Sequence, residues 1–473
     1  MRRIVTDVAV IGAGPAGLSA ALAAARAGAR VELLDAGAAP GGQYWMRDLD
    51  PERRGRGQSA EGLAAAAQAR DAGIGMHLGA EVWGVFPDLR ICATGPDGPI
   101  ELAPRALVIA TGAQDRVMPF PGWTLAGVMA PGAGQRLAKL GGVAAGRRIV
   151  LAGSGPFLAA VAATLGRLGA APAVLVEARR PDLAVAGHLA RFPERWREAV
   201  GLVRALAAIP QRRFGWMVTH ALGQDRLEAV RIAPIGADGR LDRSRSELVP
   251  DVDALLVGWG FRPSIEISSL LRCRHRHDEA TGGWFCAVDP DTGATSVPGV
   301  FAAGEVTGIA GSLPARYSGR LAGLGAAAFL GLSVPSQDRR ATIVRLGRAR
   351  AFAAGLNRLF EPPAAVLEAV EDSCIVCRCE EVSRAEIAEA YRDGTAGVQG
   401  AKLWARAGMG RCQGRVCGWA VARLWAEATG QDPAGAGFNR PRLPIRPVPL
   451  SEALAALQPE EPGQVAGAPS RAP

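Results

Sequence analysis

The hydrophobic pattern at the start of the chain predicts a strand, a tight turn and a helix. Residues 4–11 (IVTDVAVI) are mostly apolar, and a glycine-rich turn separates them from an alanine-rich segment with helical spacing. A second apolar run over residues 31–35 completes a β-α-β unit. The same order recurs over residues 147–177, about 140 positions later, so the pattern predicts two nucleotide-binding folds and not an array of short repeats.

The rest of the pattern divides the chain further. Residues 251–333 carry short apolar runs and a glycine-punctuated helix, which we interpret as a return to the first fold. The predicted organisation is a discontinuous first domain (1–125 and 251–335), a second domain (126–250), a helical connector (336–370), a cysteine-rich module (371–430) and a Pro-rich tail (431–473). Residues 46–61 are polar and Arg-rich, which predicts a surface excursion, and the last dozen residues have the composition of a disordered segment.

Composition and charge narrow the class of protein. A chain of 473 residues is too long for one domain, and its apolar runs are broken before they reach membrane-spanning length. Because no signal peptide precedes the first strand, we expect a soluble, cytoplasmic protein without a transmembrane segment. The net charge of +9 is spread along the chain without an aromatic platform, which argues against nucleic-acid binding and favours a basic rim that attracts an acidic partner or nucleotide phosphates.

The first glycine-rich turn predicts a dinucleotide site. Its members are Gly12, Ala13, Gly14, Pro15, Ala16 and Gly17. In a strand–turn–helix of this kind the first glycine permits the turn, the second lets backbone approach the pyrophosphate and the third lets the helix pack on the strand. The helix N-terminus then faces the phosphates, and Asp35, 23 residues after Gly12, stands where a carboxylate binds a ribose.

Three further segments favour FAD as that dinucleotide. They are Gly42 and Gln43 after the second strand, Ala110, Thr111 and Gly112 after a buried strand, and Gly304 and Glu305 after another. This ordered set resembles the flavoprotein superfamily with two dinucleotide domains, which includes glutathione reductase and ferredoxin reductases. The resemblance implies that the carboxylate matching Glu305 binds the ribityl chain of the flavin. Most relatives have Asp there, so Glu305 is a departure.

The second turn predicts a second nucleotide site. Gly153 and Gly155 match the first two glycines, but Leu158 replaces the third. Glu177 is placed to bind a ribose hydroxyl and disfavours a 2′-phosphate, whereas the two arginines that follow it favour one. NAD(P) or an adenine nucleotide is therefore the candidate ligand. The first 370 residues contain no CxxC pair, which argues against disulfide reduction.

Five of the eight cysteines lie between residues 374 and 417. Four of them follow the spacing C-x-C-x32-C-x4-C, and neighbouring glycines let backbone N–H groups approach the sulfurs of a [2Fe–2S] cluster. These four are Cys377, Cys379, Cys412 and Cys417. Structural zinc is the alternative, although zinc sites more often space cysteines by two to four residues. Cys374 offers a competing C-x2-C pair, so the spacing leaves the ligand choice open.

The segments 376–380 (VCRCE) and 408–417 (GMGRCQGRVC) resemble the bacterioferritin-associated ferredoxin domain. By that match the four cysteines just named are the ligands and Cys374 is spare. The fold class expected from all these features is α/β, with two Rossmann-like domains in a disulfide-reductase-like arrangement and a small helical [2Fe–2S] domain.

The combination resembles the alpha-type subunit of heteromeric flavin-dependent amino-acid and opine dehydrogenases. That group includes the corresponding subunits of octopine oxidase, nopaline oxidase and hydrogen cyanide synthase, and the alpha subunits of hydroxyproline and proline dehydrogenases. Segments 41–44 (GGQY), 120–128 (FPGWTLAGV), 282–284 (GGW) and 440–450 carry the resemblance. It implies two partner subunits. One is an FAD-dependent amine-oxidising subunit, and the other is a small ferredoxin-like subunit. It also implies a Pro-rich tail that lies against a partner, and a respiratory acceptor that brings the complex to the membrane periphery.

The predicted function is that of an FAD- and [2Fe–2S]-containing electron-transfer subunit of a dehydrogenase or oxidase acting on CH–NH donors of the proline, hydroxyproline, opine or glycine class. The sequence shows no recognisable substrate-carboxylate or base constellation, so no catalytic residue is assigned. A self-contained NAD(P)H-dependent oxidoreductase that passes electrons through FAD to the cluster is the alternative, motivated by the second turn. A nucleotide-sensing assembly subunit with structural cofactors is the non-enzymatic alternative.

Overall fold

A computed structural model describes residues 2–46 and 57–457. Most of the predicted surface excursion at 46–61 and the predicted disordered end of the tail lie outside these residues. Within the described ranges, no helix combines the length and the apolar character needed to cross a membrane.

The first fold is an α/β sheet built around the N-terminal strand. Its elements are β1 (Arg2–Ile11), α1 (Pro15–Arg26), β2 (Val31–Asp35), α2 (Gly57–Asp71), β3 (Gly75–Leu78), β4 (Glu81–Val85), β5 (Ile91–Gly95), β6 (Gly98–Ile109) and β7 (Ala113–Asp115). The strand order is β3-β2-β1-β6-β5-β4; β1, β2, β3 and β6 are parallel, and β4 and β5 are antiparallel. The parallel strands place their carboxyl ends on one edge, which is where such sheets bind ligands.

The second fold is also an α/β fold built around a parallel sheet. Its elements are β8 (Val128–Met129), α3 (Pro131–Gly141), β9 (Ile149–Gly153), α4 (Pro156–Arg167), β10 (Val174–Glu177), α5 (Leu183–Ala190), α6 (Trp196–Ala207), β11 (Gln211–Phe214), β12 (Trp216–Leu222), β13 (Ala229–Pro234), β14 (Glu247–Val249) and β15 (Ala254–Gly258). A parallel sheet runs β11-β10-β9-β15-β8, and β12, β13 and β14 form an antiparallel sheet beside it.

The position of β15 corrects the predicted boundary after residue 250. This strand pairs with β9 and β8, so the second fold extends to residue 258. The apolar run at 254–258 predicts a buried strand, but a run of this kind carries no signal for which of two sheets it joins.

The chain then returns to the first fold. The elements are β16 (Phe261–Pro263), α7 (Glu266–Leu270), β17 (His275–Asp278), β18 (Gly283–Cys286), β19 (Val300–Ala302), α8 (Ser312–Phe329) and the connector helix α9 (Ser336–Leu359). Strand β19 joins the first sheet beside β6, and α8 lies directly on α1. That approach requires glycines, because a Cβ on Gly319 or Gly323 would lie 2.1 Å from a backbone oxygen of α1.

The cysteine-rich module follows the connector. Its elements are α10 (Ala365–Glu368), β20 (Ile375–Cys377), β21 (Val382–Ser383), α11 (Arg384–Arg392), α12 (Gly397–Ala405) and α13 (Gly418–Thr429), and α14 (Leu450–Leu457) closes the described chain. Ser383 begins α11 with a reciprocal capping box to Glu386, a local sequence signal for a helix start. The architecture confirms the predicted fold class: two dinucleotide-type α/β folds and a small, mainly helical module.

The described part of the tail packs against its own chain. Ile445 is 3% exposed, and its N–H donates to the Trp83 carbonyl oxygen of β4 at 2.9 Å. Arg446 pairs with Glu81 of the same strand at 3.2 Å. A buried isoleucine and a backbone hydrogen bond therefore fix this part of the tail on the first fold, and the contact of the tail with a partner stays a prediction.

Candidate cofactor sites

The first glycine turn is closed so tightly that no side chain fits at Gly12 or Gly17. Gly12 has a φ of +108°, and a Cβ there would lie 2.3 Å from the Ala110 carbonyl oxygen. A Cβ on Gly17 would lie 1.7 Å from the Gly12 carbonyl oxygen. Pro15 is the first residue of α1, a position where its missing N–H removes no helical hydrogen bond. The turn therefore presents backbone and a helix N-terminus at the ligand edge of the sheet.

The other predicted FAD segments converge on this turn. A Cβ on Gly42 would lie 2.8 Å from the Cα of Gly14, and a Cβ on Gly304 would lie 2.7 Å from the Cβ of Ala16. Gln43 lies beside them on the same loop and is exposed. The structure thus brings three distant glycine-containing segments to one edge of the sheet, and their close backbone approach fits the binding of a dinucleotide pyrophosphate.

The Asp35 carboxylate lies against the turn on one side, and the segment after β6 lies on the other. Asp35 accepts hydrogen bonds from the backbone N–H groups of Ala13 and Gly37, each at 2.6 Å, and burial raises the pKa of its carboxyl group. This position at the end of β2 suits recognition of a ribose. Thr111 follows β6 and donates its hydroxyl hydrogen to the Ser264 carbonyl oxygen at 2.8 Å, and Gly112 beside it has a φ of +73°.

Glu305 has a structural role that its sequence position does not reveal. Its Oε1 accepts hydrogen bonds from the backbone N–H groups of Gly311 at 2.6 Å and Ala310 at 3.3 Å, just before α8 begins. Burial raises the pKa of this carboxyl group to about 7. Because glutamate is one methylene longer than aspartate, its carboxylate reaches the start of α8, and its contact with a ribityl chain stays a prediction.

The second glycine turn has a similar backbone but different surroundings. Gly153 has a φ of +128°, and a Cβ there would lie 1.8 Å from the Gly258 carbonyl oxygen. Glu177 accepts hydrogen bonds from the backbone N–H groups of Gly155 and Arg179, both at 3.1 Å, and burial raises its pKa to about 7. The end of α9 lies against this turn, with Phe360 adjacent to Gly155.

The four predicted cluster cysteines lie together in two pairs. Cys377 and Cys417 are buried and share a hydrogen bond, whereas Cys379 is exposed and pairs with the half-buried Cys412. The hydrogen bond from Cys417 lowers the pKa of Cys377 to about 6, and its effect outweighs that of burial. The Gly408 N–H, 3.4 Å from the Cys377 sulfur, lowers this pKa further. Cys374, in contrast, is buried with its sulfur 3.9 Å from the Ile375 carbonyl oxygen.

The backbone around these thiols fits a cluster. A Cβ on Gly410 would lie 2.2 Å from the Cβ of Cys379, so glycine is required for the loop to approach that sulfur. Across the described ranges, no three His, Cys, Asp or Glu side chains surround a single metal-ion position. Four thiols grouped in two pairs match the four cysteinates that hold a [2Fe–2S] cluster.

One residue near the cysteines was missed by sequence reasoning. The amide of Asn439 lies against the cysteine loop, so that a Cβ on Gly414 would be 1.9 Å from its Nδ2. Both amide atoms are buried, and within the described ranges neither has a hydrogen-bond partner. The residue stands 22 positions after Cys417, beyond any local spacing rule.

The module docks on the first fold through buried charges. Arg116 after β7 donates to Glu279 at 3.0 Å, and Arg423 of α13 lies 3.6 Å from the same carboxylate. The Trp419 ring packs against both guanidinium groups, which lie 4.7 and 5.1 Å from its centre. Burial alone would raise the pKa of Glu279, but His277 and the two arginines hold it at about 2.

We expect Glu279→Gln to weaken this docking in a pH-dependent way. A carboxyl whose folded pKa is depressed stabilises the protein above its unfolded pKa of 4.5, and the stabilisation is lost as pH falls toward 2. At pH 7 the variant should lose roughly 2 kcal/mol of unfolding free energy, and the difference from the parent should shrink below pH 4.5.

Thermal unfolding across pH measures this effect. Glu247→Gln is the matched control, because Glu247 forms an exposed pair with Arg213 at 3.0 Å and such pairs contribute little. Equal shifts in the two variants would contradict a special role for the buried carboxylate.

Comparison of the sequence with models of known protein families identifies the family to which the chain belongs. Residues 6–322 match the pyridine nucleotide-disulphide oxidoreductase family, and residues 375–427 match the BFD-like [2Fe-2S] binding domain. The chain therefore belongs to this oxidoreductase family, and its cofactors are FAD and a [2Fe–2S] cluster.

Within that class the chain belongs to the family that contains the A subunit of opine oxidase and the HcnB subunit of hydrogen cyanide synthase. It is 33% identical to the opine oxidase protein of Agrobacterium tumefaciens (strain Ach5), over 94% of this chain and 91% of that protein. It is 32% identical to HcnB of Pseudomonas aeruginosa, over 93% of this chain and 97% of that protein. These findings confirm the family resemblance inferred from the motifs.

A solved structure shares the fold. The L-proline dehydrogenase from P. horikoshii superimposes with a TM-score of 0.72, covering 95% of this chain and 80% of that chain at 22% sequence identity.

Proposed function

We propose that this chain is the electron-transfer subunit of a multi-subunit dehydrogenase or oxidase of amino acids or opines. The observation that carries the proposal is the union of a flavin fold and an iron–sulfur module in one chain, docked through Glu279, Arg116 and Arg423. The relatives named above are themselves subunits, which supports a hetero-oligomer.

The residues proposed to hold the cofactors are those that the sequence motifs indicate, and the close approach of Gly14, Gly42 and Gly304 supports the set for FAD. For FAD they are Gly12, Gly14, Pro15, Ala16, Gly17, Asp35, Gly42, Gln43, Ala110, Thr111, Gly112, Gly304 and Glu305; for the cluster they are Cys377, Cys379, Cys412 and Cys417. When bound, a flavin supplies conversion between an electron pair and single electrons, and a [2Fe–2S] cluster supplies one-electron chemistry. The protein contributes the residues that hold each group and the ion pairs of Glu279 with Arg116 and Arg423 that join the module to the first fold.

We propose that a redox partner docks beside Cys379. This cysteine is exposed, and on α12 of the same module Leu403 is 76% exposed and Trp404 is 55% exposed. Arg406, the residue after α12, pairs with Glu380 beside Cys379 at 2.9 Å, so the end of this helix lies near the exposed cysteine. Exposed apolar side chains on such a helix suit a protein partner. Two partner subunits are proposed: an FAD-dependent amine-oxidising subunit and a small ferredoxin-like subunit. The proposed location is the cytoplasm, peripheral to the membrane where a respiratory acceptor takes the electrons.

The decisive experiment compares the isolated chain with its native complex. The isolated holoprotein should show no flavin bleaching with proline, hydroxyproline, glycine or opines, whereas the co-purified complex should be reduced by one of these classes. Efficient oxidation of any of them by the isolated chain would contradict the relay role. Anaerobic reduction of the isolated chain by NADH or NADPH would instead support the self-contained oxidoreductase.

A further inference from the structure

The second glycine turn is already in contact with another part of this chain. The connector helix α9 ends at Leu359, and the Cβ of Phe360 lies 3.7 Å from the position that a Cβ on Gly155 would take. Ser154 donates its hydroxyl hydrogen to the Phe360 carbonyl oxygen at 3.2 Å. Arg179 donates to the Leu359 carbonyl oxygen, and its guanidinium carbon lies 5.7 Å from the centre of the Phe360 ring.

These contacts use the groups that a nucleotide site would use. A turn of this type offers a helix N-terminus, here that of α4, to a negatively charged phosphate. What lies there is the C-terminal end of α9, whose carbonyl oxygens carry the negative end of a helix dipole. Arg179, the side chain best placed to attract a phosphate, is engaged by one of those carbonyl oxygens.

The contact continues along the connector, so it is not an isolated touch at one residue. The ring Nε2 of His188 in α5 donates to the Phe352 carbonyl oxygen at 2.9 Å, and the two rings stack at 5.3 Å. A Cβ on Gly355 would lie 2.2 Å from the His188 ring. Nearer the start of the helix, Arg348 pairs with Glu194 at 2.7 Å.

We propose that the second dinucleotide fold is the docking site of the connector helix and does not bind a pyridine nucleotide. We call this docking site, formed by Ser154, Gly155 and Arg179, the seat of the helix. The carbonyl oxygens of Leu359 and Phe360 occupy the phosphate side of the turn, and the Cβ of Phe360 lies next to Gly155. The seat holds the connector six residues before the module begins at α10, so it fixes the point from which the iron–sulfur module extends. The geometry thereby excludes NADH and NADPH as electron donors to this chain. This inference stands independently of the substrate of the complex.

Nucleotide binding tests the first half of the proposal. Isothermal titration of the full holoprotein with NADH, NADPH, NAD⁺ and ATP should give no saturable binding below the millimolar range. Stoichiometric binding of any of the four would overturn the proposal if it also slows hydrogen exchange at residues 153–156 and accelerates exchange at residues 356–361. Binding without those exchange changes would locate the nucleotide elsewhere and leave the exclusion at this turn supported.

Hydrogen exchange of variants tests the seat itself. Arg179→Ala and Ser154→Ala each remove one donor to the connector, and each should accelerate exchange at residues 356–361 by about tenfold while FAD and cluster content stay unchanged. Arg180→Ala is the matched control, since Arg180 donates instead to the Ile235 carbonyl oxygen at 3.0 Å. If both donor variants exchange at the parental rate, or if the control accelerates equally, the seat does not exist as described. Ser154→Ala is the milder change and covers the possibility of misfolding in Arg179→Ala.

Discussion

Cys412→Ala is expected to abolish electron delivery by the complex while leaving its flavin in place. Cys412 is half-buried and pairs with the exposed Cys379, so removing its thiolate takes away one of four ligands without opening the interior of the module. Loss of a ligand should cost more than the roughly 10–100-fold typical of changes in the surroundings of a metal site. We therefore expect turnover to fall by more than about 100-fold and the electron paramagnetic resonance signal of the reduced cluster to disappear.

Cys374→Ala provides the control for that variant. Cys374 is 4% exposed and belongs to the same module, so its replacement damages packing at least as much as the replacement of Cys412. It should nevertheless keep both the cluster signal and turnover near the parental level. Loss of the signal in Cys374→Ala, together with its retention in Cys379→Ala, would identify the C-x2-C pair of Cys374 and Cys377 as ligands in place of the C-x-C pair. FAD absorbance measured in both variants separates cluster loss from general unfolding.

The parts of the fold that the sequence predicts are those that follow from local backbone rules. Gly12 and Gly153 mark strand-to-helix turns because each has a positive φ and no room for a side chain. The four cysteines are recognisable because their spacing and adjacent glycines reflect a local loop geometry. Fold class and family could be predicted from these signals, since each is set by residues close together in the chain.

The parts that escaped prediction depend on contacts between distant segments. Phe360 lies 205 positions from Gly155, and no pattern in either segment indicates that they meet. The strand at 254–258 has the composition of a buried strand for either sheet, so its membership depends on tertiary pairing. Glu305 matches a flavin-binding position in sequence, but only the structure shows its carboxylate at the start of α8. Such contacts are decided by packing energies that a single sequence does not display.

Gly17→Ala is expected to remove FAD from the protein. The added methyl carbon would lie 1.7 Å from the Gly12 carbonyl oxygen, so either α1 or the turn must shift by more than 1 Å. A shift of that size moves the helix N-terminus and the backbone N–H groups away from the pyrophosphate position. We expect FAD affinity to fall by at least about 100-fold, which corresponds to about 2.7 kcal/mol, and flavin content after gel filtration to fall accordingly.

Gly166→Ala makes the same chemical change in the corresponding helix of the second fold. Gly166 lies within α4, is exposed, and has no atom within 4 Å of its Cβ position, so alanine there should leave FAD content unchanged and stabilise the helix slightly. The cluster signal is the second measurement, because it reports on a module with its own ligands. Loss of FAD with the cluster retained would place the defect at the first turn, whereas simultaneous loss of both would indicate unfolding. Full flavin content in Gly17→Ala would mean that the dinucleotide does not depend on this turn, and the assignment of the first site would have to be abandoned.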